Sequence, residues 1–206
     1  MEKPQLIVFD LGGVLIDWNP RYLYRRLIPD EAAMERFLTK VCTPDWNAQQ
    51  DGTRTFADGT ALLVAQYPEH RTLIEAYFTG WPEMVSGAVE GTVNILREVI
   101  AARHRVCALS NWSAETYPHA EKRFDFLHWF EFVAVSGRLG FMKPDREIFD
   151  YVTEKSGVAA QQCLFIDDSL SNVRAAQALG WQAIHFTSPE ALRAELIALG
   201  LLRTSA

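Results

Sequence analysis

The chain has 206 residues, 49% of them apolar, with a formal net charge of −6 and a pI near 5.4. That is enough material for a sizeable core, either as one medium domain or as a core with one insert. The acidic balance, with no basic stripe, argues against nucleic acid and anionic membranes as partners and points to small substrates.

The first predicted element is the strand QLIVFD (5–10), an apolar run that ends in Asp10. Leu6 to Phe9 is too short for a signal peptide or a spanning helix, so a cytoplasmic protein is expected. Gly12 and Gly13 predict a tight turn that leaves Asp10 at the strand's C-terminal end, where open α/β sheets bind ligands.

From about Pro20 to Phe78 the apolar spacing is helical, in YLYRRLI, AMERFLTKV, ALLVAQY and LIEAYF, without a convincing alternating strand. This block reads as an inserted bundle. Its polar segment WNAQQDGTRTFADG (46–59) reads first as a solvated connection with Trp46 anchored in the insert. The second reading turns Trp46, Gln49, Gln50 and Arg54 toward a sugar or organic acid.

From about Gly91 helix and strand alternate: VNILREVIAAR then RVCALS, FEFVAVS then REIFDYVTEK, CLFIDD then NVRAAQALG, WQAIHF then PEALRAELIALG. The alternation predicts right-handed crossovers and an α/β fold, a parallel sheet with helices on both faces. The first strand must join that sheet, so the helical block interrupts it just after strand one. The expected division is 1–17 and 88–206 for the α/β core and 18–87 for the insert. The two crossings between them, near Asp17 to Arg21 and Ser86 to Gly91, are expected to act as hinges.

Several strand ends carry polar groups: Asp10, then Ser110 followed by Asn111, then Asp167 and Asp168. In GFMKPD, Lys143 precedes Pro144 and Asp145, which read as the start of the next helix. Three carboxylates gathered at one edge repel unless a cation neutralises them, and hard oxygen ligands with open positions suit Mg²⁺. The plainer reading of FIDDS makes Asp168 or Ser169 a helix cap. Asp17 reads mainly as a cap or hinge residue and secondarily as a proton source. Trp18 and Trp112 either line the entrance or simply pack. The five histidines lack metal-ligand spacing, and Cys42, Cys107 and Cys163 read as core residues or unpaired thiols.

In order and approximate spacing, FDLGGV, LSNWS, MKPD and FIDDSLSNV resemble the four signature motifs of the haloacid dehalogenase-like hydrolase superfamily, nearly end to end. The resemblance implies a Rossmann-like core with a small α-helical cap. It also implies a Mg²⁺-dependent hydrolysis of a small-molecule phosphoester, such as a sugar phosphate, by a monomer or homodimer. Asp10 would be the nucleophile that forms an aspartyl-phosphate, and Ser110 the hydroxyl that holds the transferred group, with Asn111 assisting. Lys143 would balance charge, and Asp10, Asp167, Asp168 and the carbonyl of Gly12 would bind the metal. The N–H groups of Gly12 and Gly13 would point at phosphate oxygens.

One departure stands out: Gly12 occupies the place where most phosphatases of the superfamily carry a second Asp as general acid and base. Proton transfer by such a group contributes about 10² to 10⁴ in rate. Two rival readings remain. One is a metal-free 2-haloacid dehalogenase using Asp10, although its fourth motif resembles SSNxxD and not FIDDS. The other is a non-catalytic binding module that keeps the fold.

Overall fold

The computed structural model describes residues 3–203. The strand β1 (Leu6–Phe9) is buried along its whole length. Ile7 and Phe9 pack into one hydrophobic cluster and Leu6 and Val8 into another, on the opposite face of the sheet. Side chains alternate across a strand, so burial on both faces produces a continuous apolar run.

After β1 comes a short antiparallel ribbon of β2 (Ile16–Trp18) and β3 (Val85–Ala88), with Asp17 opposite Gly87. The ribbon is a finding that the sequence did not predict. Between its strands lie five helices: α1 (Arg21–Leu27), α2 (Glu31–Lys40), α3 (Pro44–Asp51), α4 (Phe56–Gln66) and α5 (Arg71–Thr79). Three of them start on a capping side chain: Asp30 accepts from Ala33 N, Thr43 from Trp46 N and Thr55 from Asp58 N. Tyr24, Phe37, Trp46, Phe56 and Tyr77 fill the insert, with Trp46 edge-on to Tyr77 at 5.0 Å between ring centres.

The chain continues through α6 (Glu90–Ala101), β4 (Arg105–Ser110), α7 (Tyr117–Arg123), β5 (Val133–Val135), α8 (Ser136–Leu139) and α9 (Arg146–Ser156). It ends with β6 (Cys163–Asp167), α10 (Leu170–Ala178), β7 (Gln182–His185) and α11 (Pro189–Ala198). The five-stranded sheet runs β5-β4-β1-β6-β7, and every pair in it is parallel. Val93, Leu96, Val99 of α6 and Leu192, Leu196 of α11 cover one face. Ile148, Phe149, Val152 of α9 and Ala176 of α10 cover the other. The expected α/β sheet with helices on both faces is therefore present, with the helical block inserted after strand one.

From β1 the chain builds outward to β4 and β5 on one side, then returns to add β6 and β7 on the other. The order thus reverses at β1, which makes its C-terminal end the topological switch point, where a crevice opens. Cys42, Cys107 and Cys163 are buried and unpaired. No helix among the described residues is long and apolar enough to cross a membrane.

Candidate functional site

The register fixes the site. Phe9 lies opposite both Ala108 of β4 and Ile166 of β6, so one residue on, Asp10 leaves the sheet level with Asp167, and Ser110 ends the neighbouring strand. All three are buried. Lys143 reaches them from the loop before α9, with 3% of its surface exposed. Its ammonium meets Asp10 Oδ1 at 2.9 Å, Asp167 Oδ2 at 2.7 Å and the Leu109 carbonyl at 3.0 Å. An ammonium has three donors, and here each has an acceptor.

Asn111 holds this lysine's backbone from both sides: its Nδ2 donates to Lys143 O and its Oδ1 accepts from Lys143 N, each at 2.8 Å. These two bonds use the amide oxygen and one of the two Nδ2 hydrogens, and Asn111 also lines the cavity described below. Asn172, on the first turn of α10, was missed by sequence reasoning. Its Nδ2 donates to both Asp167 oxygens, at 3.2 and 3.1 Å, and Ser169 N donates to Asp167 Oδ1 at 2.7 Å. The available signal was a polar side chain on the buried side of a helix that directly follows an acidic strand end. Ser169 occupies the N-cap position of α10 without a capping side-chain bond, so the helix-cap reading of FIDDS gains no support from it.

Burial pushes the Asp10 carboxyl up to about 7, with Lys143 opposing the rise and Asp167 and Asp168 adding to it. Burial also raises Asp168, helped by the charge of Asp167. For Lys143 burial works against the charge, but Asp10 and Asp167 overcome it and hold the ammonium above the ordinary lysine value. One cation thus faces three carboxylates. Asp10, Asp167 and Asp168 each offer an oxygen, all within 4.8 Å of one another. Opposite ligands of an ion with Mg²⁺-like bond lengths stand ~4.2 Å apart, so this all-oxygen, under-neutralised donor set fits a small hard dication.

The turn after Asp10 differs from expectation at one glycine. Gly13 N donates to Ile16 O at 2.9 Å and is not available to a ligand, whereas Gly12 N has no acceptor among the described residues. Gly13 has φ +74°, and a Cβ there would lie 2.2 Å from Asp168 Oδ2. Its role is to let the backbone turn left-handed beneath a carboxylate. A Cβ at Gly12 meets nothing within 4 Å. Gly13→Ala is therefore expected to cost ~1–3 kcal/mol and to displace Asp168, while Gly12→Ala costs under ~1 kcal/mol. Urea unfolding of both variants checks this, and equal losses would refute the assignment.

On the insert side, Gly12, Asp51, Asn111 and the three tryptophans Trp18, Trp81 and Trp112 line a cavity of about 90 Å³. Trp18 and Trp112 thus face the cavity as well as packing, and Trp18 Nε1 is buried without a partner. The 46–59 segment is not a loop: it contains α3 and the start of α4. Trp46 is anchored in the insert, as its first reading held, with its Nε1 donating to Gly59 O at 3.2 Å. Gln50 and Arg54 bond to each other at 2.5 Å and to the Trp46 carbonyl, and Gln49 is exposed on another surface groove. The second reading of these four residues is corrected: the insert residue that reaches the cavity with an ionisable side chain is Asp51. Asp17, in the ribbon, accepts from Tyr22 Oη of α1 at 2.8 Å.

Fold and site together define a parallel-sheet α/β protein with a buried acidic cluster and a lysine gathered at its strand ends. Residues 4–180 match the family model of the haloacid dehalogenase-like hydrolases, and the chain belongs to that family. It is 26% identical over 189 residues to the sesquiterpene phosphatase astK of Aspergillus oryzae, covering 92% of this chain and 93% of that one. It is 26% identical over 210 residues to a phosphoglycolate phosphatase of Pseudomonas putida, covering 89% of this chain and 70% of the other. The HAD family enzyme bt-2542 of Bacteroides thetaiotaomicron, solved with magnesium and inorganic phosphate, superimposes with a TM-score of 0.66 at 23% identity, over 90% of this chain and 95% of that one. At that identity the superposition speaks for the fold alone.

Proposed function

We propose that the chain is a Mg²⁺-dependent hydrolase of small phosphomonoesters, working through an aspartyl-phosphate on Asp10. The observation that carries this reading is the buried ammonium of Lys143, which joins Asp10 to Asp167 at the sheet's switch point. Leu11 N and Lys143 both bond to Asp10 Oδ1, which leaves Oδ2 as the oxygen to attack phosphorus. Ser110, at the end of β4, would hold the transferred group, and the N–H of Gly12 would meet one of its oxygens. Asn111 keeps Lys143 in place, and Asn172 keeps Asp167 turned inward.

The metal ligands would be Asp10, Asp167, Asp168 and the carbonyl of Gly12. Mg²⁺ bound there would supply the positive charge that the three carboxylates lack and screen the phosphate as it transfers. Residues 1–17 and 88–206 form the reacting core in this reading, and 18–87 form the cap that covers it. The leaving alcohol would lie against Trp18, Trp81 and Trp112, with Trp18 Nε1 offered as a donor. The names of two relatives, both phosphatases, support the same reaction class.

The test is phosphate release at neutral pH from sugar phosphates, phosphoglycolate and prenyl phosphates, with Mg²⁺ or with EDTA. Release is expected to fall by ~10³ or more in EDTA, the scale of several kcal/mol of charge stabilisation. Equal turnover in EDTA would remove the metal from the reaction, and no phosphate release from any ester with metal-independent halide release from a 2-haloacid would replace this reading with the dehalogenase.

A further inference from the structure

Gly12 leaves the phosphatase reading without a proton donor for the leaving alcohol, and the inference here rests on that reading. The cavity over the strand ends contains one carboxyl that does not belong to the acidic cluster. It belongs to Asp51, the last residue of α3 in the insert. Its oxygens accept from Ser113 N at 3.1 Å and from Asn47 Nδ2 at 2.8 Å, and its backbone carbonyl accepts from Ser136 Oγ. Ser113 lies three residues beyond Ser110, so the insert's carboxyl is pinned to the loop that leaves the reacting edge.

Three properties suit this group to proton transfer. It shares its cavity with Gly12, the position where the side chain is missing and where a Cβ would find open space. No Lys, Arg or His pairs with it among the described residues, so no cation holds it ionised. Burial pushes its carboxyl up to about 7, with the Ser113 N–H opposing the rise. Its titratable neighbour is Tyr77 of α5, whose phenol is held protonated by burial first and by the charge of Asp51 second.

We propose that Asp51 is the general acid of this enzyme, supplied by the insert in place of a side chain at position 12. As the bond from Asp10 Oδ2 to phosphorus forms, the bond from phosphorus to the ester oxygen breaks. The electron pair stays on that oxygen, which takes the Asp51 proton and leaves as the alcohol. Water then attacks the phosphorus of the acyl phosphate, its proton passes to the Asp51 carboxylate, and phosphate leaves with Asp10 restored.

A structural clamp and a proton donor differ in how they respond to the leaving group. The experiment compares kcat/KM of the native chain and Asp51→Asn, with Mg²⁺, on ethyl phosphate and on p-nitrophenyl phosphate, whose leaving phenolate needs no proton. The substitution is expected to lower the ethyl phosphate value by ~10²–10⁴ and to leave most of the p-nitrophenyl phosphate value. The retained aryl activity also reports that the variant folds. Equal losses on the two esters would make Asp51 a clamp, and no loss on either would remove it from the reaction; both outcomes overturn the proposal. A native chain silent on both esters overturns the phosphatase reading itself, and this proposal with it.

Discussion

Asp10→Asn is expected to keep the fold and to lose phosphate release by a factor on the order of 10⁴ or more. Asparagine preserves the volume, and its Oδ1 can still accept from Leu11 N and Lys143, so the turn at the end of β1 stays in register. What disappears is the second carboxylate oxygen and its charge, and an amide does not form an acyl phosphate. Stability should not fall, because burial already holds the Asp10 carboxyl up to about 7 and a working charge is kept there at the expense of stability. Thermal unfolding and phosphate release measured on one preparation check both halves. Residual activity within tenfold of the native chain would place the nucleophile elsewhere.

The sheet was legible because its strands are buried on both faces and separated by helices. Leu6–Phe9 and Cys163–Asp167 read as uninterrupted apolar runs for that reason, and an acidic residue at the end of such a run has nowhere to sit except the sheet's edge. The ribbon was not legible. Ile16–Trp18 and Val85–Ala88 are three and four residues long, too short for a period to emerge, and they are held by pairing across the whole insert. Helix α3 was missed for another reason. Its buried residues are Trp46 and Gln50, and a polar residue on the inner face defeats a search for apolar spacing. The start signal was nevertheless present, since Thr43 caps the helix and Pro44 occupies its first turn.

The site divides in the same way. Asp10, Ser110 and Asp167 could be placed together from chain order because each ends or directly follows a strand, whereas Lys143, in the loop before α9, was placed by the resemblance of MKPD to a family motif. Asn111 and Asp51 act through contacts with residues far along the chain, such as Ser113 N meeting a carboxylate 62 residues earlier, and no local pattern encodes such a meeting, whereas Asn172 meets Asp167 only five residues away. Gly13 shows the limit of reading a glycine-rich turn by analogy. Its N–H bonds to Ile16 O, and its lack of a side chain serves Asp168.

Lys143→Met should be the most destabilising change in the site. The native ammonium sits between two carboxylates that are themselves buried, and it also satisfies the Leu109 carbonyl. Methionine fills a similar volume but leaves Asp10 and Asp167 facing each other with no cation between them. Breaking a buried ion pair from one side typically costs ~3–5 kcal/mol, because the partner's desolvation is left uncompensated. Most of that loss should come from the stranded carboxylates and not from the missing lysine contacts. Adding Asp10→Asn to the same chain should therefore recover more than ~1 kcal/mol, a coupling of the size seen between groups in direct contact. Urea unfolding of the native chain, both single variants and the double variant, all in EDTA, gives the four corners of that cycle. Additive losses would mean that Lys143 stabilises the protein through packing and the Leu109 carbonyl, and that its charge serves only the reaction.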